Sequence, residues 1–330
     1  MFPVRNRFFR KKRSGYTLIE AIVVLSIVLL LAGFLLTAVQ MARESARRVS
    51  CSNNIKQWVL GTITYESRKR KLPGAEEVYT FPASVPTQLT PHRPFVVGPW
   101  LTVLREMEGS LVRYQKADES RAFTNPSELV HPSFAFCPSD PALKSLAYRF
   151  NTGSTGARGV FKKSLNREEP NGPFRSTGFD VAVSEISDGL SNVAALSERQ
   201  GETKGSKSRY RGLNASLSWV TTVGRIQPDE YETLCHSSGS FEYETVGYKL
   251  LPSIKNLDAI LYSHVFEPNT HIEDCSASSV DWSISARSHH SGGVNVGFLD
   301  GGNRFISNSI DRSLWRELGG ISDGGVLQAN

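Results

Sequence analysis

Apolar positions along the chain fall into three regimes. From Ala21 to Val39 nineteen residues are mostly apolar on every side, leaving no face for water, which is the pattern of a helix surrounded by lipid. From Met41 to Lys71 the pattern becomes one-sided. Ile55, Val59 and Ile63 recur every four residues among Ala, Arg, Glu, Lys and Gln, with no proline and one glycine, Gly61. That spacing gives a helix one apolar stripe for docking on a head domain, while Ala42, Ala46 and Val49 form a second short stripe on another side. The two regimes read as one helix over residues 16–71, transmembrane over about 18–40. It would be roughly 80 Å long at about 1.5 Å per residue. A membrane helix followed by a separate short helix is the alternative.

The third regime is a β-rich head, residues 72–330. Pro73-Gly74 ends the helical pattern, and six of the sixteen prolines lie between Pro73 and Pro99, which predicts an irregular connector rather than part of a sheet. Trp100 to Glu108 reads as a short amphipathic helix. Short strands follow, separated by Gly, Ser, Asn and Pro clusters. Lys162–Pro173 and Gly201–Arg211 have the high charge and low apolar content of exposed loops. Val294, Val296 and Phe298 alternate with small or polar residues, Asp300-Gly301-Gly302-Asn303 supplies turn residues, and Phe305-Ile306 begins a return strand, so a C-terminal hairpin is expected. Asp311–Leu318 predicts a closing helix, capped by Asn308 or Ser309 and ended by Gly319-Gly320. The fold class is α+β: a long N-terminal helix packed on a β-rich antiparallel head.

What precedes the apolar run identifies its purpose. Arg5, Arg7, Arg10, Lys11, Lys12 and Arg13 form a basic leader without acidic residues, ending in Gly15-Tyr16-Thr17-Leu18-Ile19-Glu20. A secretory signal has an apolar core of about 7–15 residues followed by a cleavage site; here the glycine comes first and the apolar run is longer. A carboxylate such as Glu20 at the mouth of a membrane helix is costly and needs a reason. Basic leader, glycine, then apolar helix with Glu20 resembles the class III signal of type IV pilins and pseudopilins. The resemblance implies that a prepilin peptidase removes residues 1–15, that Tyr16 becomes the mature and N-methylated first residue, and that Glu20 serves subunit assembly. Tyr16 stands where that family more often has Phe.

The net charge of +6 changes meaning once the leader is set aside. Without its six basic residues, basic and acidic residues are equal at 32 each, so the charge gives no support for nucleic-acid binding. The leader instead holds the N-terminus in the cytoplasm, which predicts a single-pass cytoplasmic (inner) membrane protein with its head in the periplasm or outside the cell. Cys51, Cys137, Cys235 and Cys275 form an even set in a compartment that permits disulfides. Three pairings are possible, and no Cys-x-x-Cys occurs.

The remaining motifs share a second resemblance. Ala42-Arg43-Glu44-Ser45-Ala46-Arg47-Arg48, Cys51-Ser52-Asn53-Asn54, Phe136-Cys137-Pro138-Ser139-Asp140, Asp188-Gly189-Leu190-Ser191-Asn192 leading to Glu198, and Trp315-Arg316-Glu317-Leu318-Gly319 resemble a large bacterial family of uncharacterised pseudopilin-like proteins. That family is known for a C-terminal His-x9-Asp-Gly motif, here His290 to Asp300-Gly301. The resemblance implies a pilin-like fold and a Cys51–Cys137 bridge stapling helix to head, with Cys235 and Cys275 as the second pair.

Chemistry is sparse. A strand between His290 and Asp300 would hold them over 20 Å apart at about 3.3 Å per residue, so both read as structural: Asp300-Gly301 as a turn, His290 as the residue fixing the start of the strand. No Gly-x-Ser-x-Gly elbow is present, and no catalytic residue is expected. Cys235, His236, His264, His271 and Cys275 are zinc-ligand types without metal-ligand spacing. Calcium could use Asp300, Asn303, Asp311 and Asp323, whose spacing matches no EF-hand loop; no metal or cofactor is the leading expectation. The reading is a non-enzymatic pseudopilin of a type II secretion or type IV pilus-like system, with a prepilin peptidase, other pseudopilin subunits and the inner membrane as partners. The alternative is a free-standing membrane-anchored envelope protein whose head binds a ligand such as a polysaccharide.

Overall fold

The computed structural model describes residues 15, 17–74, 77–79, 95–97, 99–107, 132–140, 146–155, 157–158, 171–175, 180–200, 210–212, 228–230, 232–233, 260–272, 274–276 and 281–322. The chain divides into two compact units, Met1–Ala46 and Arg47–Asn330. Helix α1, Leu18–Lys69, is unbroken and is long and apolar enough to cross a membrane. Its side chains in the first unit are almost all exposed, including Leu25, Leu30 and Phe34.

In the second unit the four-residue stripe docks as its spacing requires. Ile55 and Val59 are fully buried, and Ile63 packs partly buried beside them. Val49, on the other stripe, stays exposed. Trp58 lies between the stripe positions, with ring centroids 5.2 Å from Trp100, 5.3 Å from Phe134 and 6.3 Å from Phe150. Its indole N–H donates to the Phe134 carbonyl. Gly61 lets α2, Pro99–Met107, approach closely; a Cβ there would lie 2.4 Å from Met107 Cγ.

The proline-rich stretch carries two short strands, a correction to the expected irregular connector. β1, Glu77–Tyr79, pairs antiparallel with β2, Phe95–Val97. All six prolines fall outside these three-residue strands, so none removes a ladder donor.

α1 docks on a five-stranded sheet. Its strands are β3 Tyr148–Asn151, β5 Ala194–Glu198, β7 Leu261–Tyr262, β10 Gly293–Phe298 and β11 Asn303–Ser307, in the order β11-β10-β5-β3-β7. A four-stranded sheet, β4-β9-β8-β6, uses Ala157–Arg158, Asp281–Ser283, Asp274–Ser276 and Tyr210–Gly212. The head is mixed rather than purely antiparallel, because β3 with β7 and β6 with β8 run parallel. The fold is α+β and pilin-like. Two expected loops also contribute structure: Tyr210–Gly212 forms β6, and Gly172 and Pro173 are buried, with Asn171 Oδ1 accepting from the Ser154 amide.

The three inner strands, β10, β5 and β3, are buried throughout. Val294, Val296 and Phe298 of β10 face one core with Trp315 and Leu318. The opposite face carries Asn295 and Gly297, where a Cβ on Gly297 would reach Ile55 and Val59 of α1. The register shift between β10 and β5 at Gly297/Phe298 is a bulge that sets Leu196 opposite Gly297 and Ala194 opposite Phe298. The closing helix α3, Arg312–Glu317, is capped by Asp311 rather than by Asn308 or Ser309; Asp311 accepts from the Ser313 and Leu314 amides.

Candidate functional site

Two sites carry the motif residues. At the N-terminus Gly15 is exposed, while Tyr16 lies outside the described residues. Glu20 accepts from the Thr17 amide at 2.9 Å and from its hydroxyl at 2.9 Å, and the Glu20 amide donates to Thr17 Oγ1 at 3.4 Å. This reciprocal capping box satisfies amides that the first helical turn leaves open. In this unprocessed chain the carboxylate therefore has a local role at the start of α1.

The second site lies beneath α1 in the head. At the start of β10, Gly292 adopts φ +86°, and Ser288 Oγ accepts from the His290 amide while donating to the Gly293 carbonyl. This loop turns His290 inward. Its side chain is 1% exposed, like that of Glu198, and His290 Nε2 lies 3.1 Å from Glu198 Oε1. The paired register of β10 with β5 reaches Val296 opposite Ser197. Just beyond it the Glu198 carboxylate takes the place of a ladder acceptor, accepting the Asn295 backbone amide at 2.7 Å on Oε2 and its side-chain amide at 2.9 Å on Oε1. A buried carboxylate is tolerable only with such partners.

Sulfur closes the cluster. Cys51 of α1 and Cys137, just after the short 3-10 helix Ser133–Ala135, form a disulfide, the pair implied by the family motifs. Cys137 Sγ is 3.7 Å from His290 Nε2. Asn54 donates to the Phe136 carbonyl, and the Tyr148 hydroxyl donates to the Cys51 carbonyl. Burial, helped by the nearby Glu198 charge, pushes the Tyr148 phenol far above its ordinary range, so it remains a donor. Beside the cluster, His289 Nε2 lies 3.5 Å from Asp140 Oδ1. The arrangement links α1, β5, β10 and the Cys137 segment. Sequence reasoning overlooked that Glu198 pairs with His290; the available signal was a carboxylate ending the apolar strand Ala-Ala-Leu-Ser-Glu.

The other candidates are scattered. Asp300 is exposed at the far end of β10, where its carboxylate accepts from the Gly302 amide, and Gly301 takes φ +92° in the turn. The Asn303 side-chain amide donates to the Ser52 carbonyl of α1, Asp311 caps α3, and Asp323 lies outside the described residues. His271 is exposed, and Cys235 and His236 lie outside the described residues, as does the side chain of Cys275 in β8. His264 is fully buried, stacked on Trp315 at 3.9 Å between ring centroids. Its Nδ1 donates to the Trp315 carbonyl and its Nε2 accepts from the Tyr262 hydroxyl, while burial pushes its pKa down to about 3. It is a neutral core residue. Among the described residues, Cys51, Cys137, Glu198 and His290 are the group whose ligand-type atoms converge, all within 4.8 Å of one another.

Residues 40–313 match the model of a family described as "Protein of unknown function (DUF1559)". Residues 10–36 match a prokaryotic N-terminal methylation motif. No curated protein and no solved structure matches the chain. The methylation motif covers Gly15 and Glu20 and leads into the apolar half of α1, which makes this a pilin-like protein with one candidate membrane anchor and implies processing by a prepilin peptidase.

Proposed function

The chain belongs to the DUF1559 family of proteins of unknown function, and from that premise we propose that it is a structural pseudopilin rather than an enzyme. Its leader stays in the cytoplasm, its helix spans the inner membrane, and its head lies outside. A prepilin peptidase cuts after Gly15, and the mature chain assembles with other pseudopilins in a type II secretion or type IV pilus-like filament. The observation that carries this reading is the methylation motif over residues 10–36, a span that includes Gly15 and Glu20.

Glu20 supplies the test. Cleavage frees an amine at Tyr16, four residues from Glu20, and helices packed side by side bring one chain's carboxylate to the next chain's amine. That pairing offsets the desolvation of both charges. Glu20→Gln preserves the capping box, which accepts either residue, but removes the charge. It should insert normally and lose the ladder of crosslinked oligomers in membranes. A variant with a wild-type ladder would remove Glu20 from assembly.

One observation favours the second reading, a ligand-binding envelope head. A polar cavity of about 430 Å³ is lined by Gln200, Asn269, His271, Arg287, Ser288 and Asn308, among others, and these offer hydrogen bonds suited to a polyhydroxylated ligand. Saturable binding of a polysaccharide, lost in Arg287→Ala and unaffected by Glu20→Gln, would favour it over a filament role.

A further inference from the structure

From the convergence of Cys51, Cys137, His290 and Glu198 we infer that the head, when its disulfide is reduced, binds one zinc ion that takes over the link between α1 and the sheet. Cys51 and Cys137 belong to different parts of the unit, and their bond joins α1 to the segment after Ser133–Ala135. His290 Nε2 faces both Cys137 Sγ and Glu198 Oε1, at 3.7 and 3.1 Å. All four ligand-type atoms lie within 4.8 Å of one another and all four residues are buried. Zinc–ligand bonds of about 2.0–2.3 Å place the corners of a tetrahedron about 3.3–3.8 Å apart. The non-bonded atoms need shifts on the order of an ångström to reach that spacing, and the two sulfurs separate once their bond is cut.

The donor set suits zinc: two thiolates, an imidazole and a carboxylate. Part of the supporting shell is present. The Asn295 backbone amide holds Glu198 Oε2, leaving Oε1 turned to the imidazole, and ligating carboxylates are themselves hydrogen-bonded in this way.

A dithiol reductant supplies the two electrons the change needs. One reductant thiolate attacks Cys137 Sγ, on the more exposed of the two residues (7% against 0% for Cys51), and Cys51 leaves as a thiolate. The second reductant thiolate resolves the mixed disulfide and releases Cys137 as a thiolate. Two electrons pass to the protein sulfurs, the reductant becomes a disulfide, its two protons pass to water, and Zn²⁺ takes up both protein thiolates. In the oxidised head the Cys51–Cys137 bond holds α1; in the zinc-loaded head the metal would hold it through the same two sulfurs.

The test uses full-length chain in detergent micelles with Cys235 and Cys275 changed to Ser, so that neither contributes sulfur. After reduction with a phosphine, one equivalent of Co²⁺ should bind with thiolate-to-metal charge-transfer absorption and intense tetrahedral d–d bands, and Zn²⁺ should displace it. The oxidised chain should do neither. Asn295→Ala, which removes the side-chain hydrogen bond to Glu198 Oε1 while keeping the backbone bond to Oε2 and all four ligands, should weaken binding about 10–100-fold. Adding Zn²⁺ to reduced chain should raise its melting temperature, a gain absent from oxidised chain. A reduced chain that takes up no cobalt, folded or unfolded, overturns the inference. So does uptake that persists unchanged in Cys137→Ser or His290→Ala.

Discussion

Gly297 sits where α1 meets β10 of the five-stranded sheet, and adding one methyl there tests the docking directly. A Cβ at this position would lie 2.5 Å from Ile55 Cγ2 and 2.6 Å from Val59 Cγ2, about 1 Å closer than carbons ordinarily approach. Both opposing methyls sit on β-branched residues held in a helix, where χ1 is nearly fixed, so neither swings aside cheaply. Overpacking of this kind costs about 1–3 kcal/mol. Replacing glycine also restricts the unfolded chain, which returns about 0.4–1 kcal/mol. The net expectation for Gly297→Ala is a loss of about 1–2 kcal/mol, read as a drop of a few degrees in the melting temperature of detergent-solubilised chain. Val59→Ala alone should be destabilising, because Val59 is fully buried and leaves a cavity. In the double variant the new methyl occupies part of that cavity. The combined loss should then fall short of the sum by at least about 0.5 kcal/mol. A Gly297→Ala chain as stable as wild type, or strict additivity with Val59→Ala, would refute the close docking of α1 on β10.

Three further effects follow from the same structure. Glu198→Ala leaves His290 and the Asn295 amide buried without their acceptor and should cost about 3–5 kcal/mol in denaturant unfolding, with Glu198→Gln milder; a loss below about 1 kcal/mol would contradict the pairing. His264 has its pKa depressed to about 3 in the folded chain, so the unfolded chain binds the extra proton below its ordinary value near 6.5. Its contribution is complete above that pH and is lost as pH falls toward 3, at up to about 1.4 kcal/mol per pH unit; in His264→Asn the stability difference between pH 6.5 and 4.5 should shrink, and an unchanged slope would count against it. Asp311→Ala should lose about 0.5–2 kcal/mol by uncapping α3, whereas Asp311→Asn should retain most of the cap, and equal losses in the two would argue for another role.

What could be read from the sequence follows from the range of the interactions. The lipid-type run Ala21–Val39 and the stripe Ile55, Val59 and Ile63 report single-helix environments, and the hairpin of β10 and β11 is encoded by alternation around Asp300-Gly301. The parallel pairs have no such local mark: Phe150 meets Leu261, and Tyr210 meets Asp274, each partner distant in the chain. Glu198 and His290 meet across 92 residues, so their pairing becomes visible only when β5 and β10 are side by side. The cap of α3 was misplaced because Asn308 and Ser309 belong to the preceding turn. Asn308 accepts from Asn269 and the Ser309 amide donates to Ser307 Oγ, which leaves Asp311 to start the helix. In the proline-rich stretch, strands of three residues are too short to show a period.

The mature N-terminus tests the central claim most directly. Mass spectrometry of the chain recovered from the envelope of cells with an active prepilin peptidase should find it beginning at Tyr16, with a methyl group on its α-amine and residues 1–15 absent. A chain that still begins at Met1, or one cut beyond the apolar helix, would contradict assignment as a pilin-like subunit.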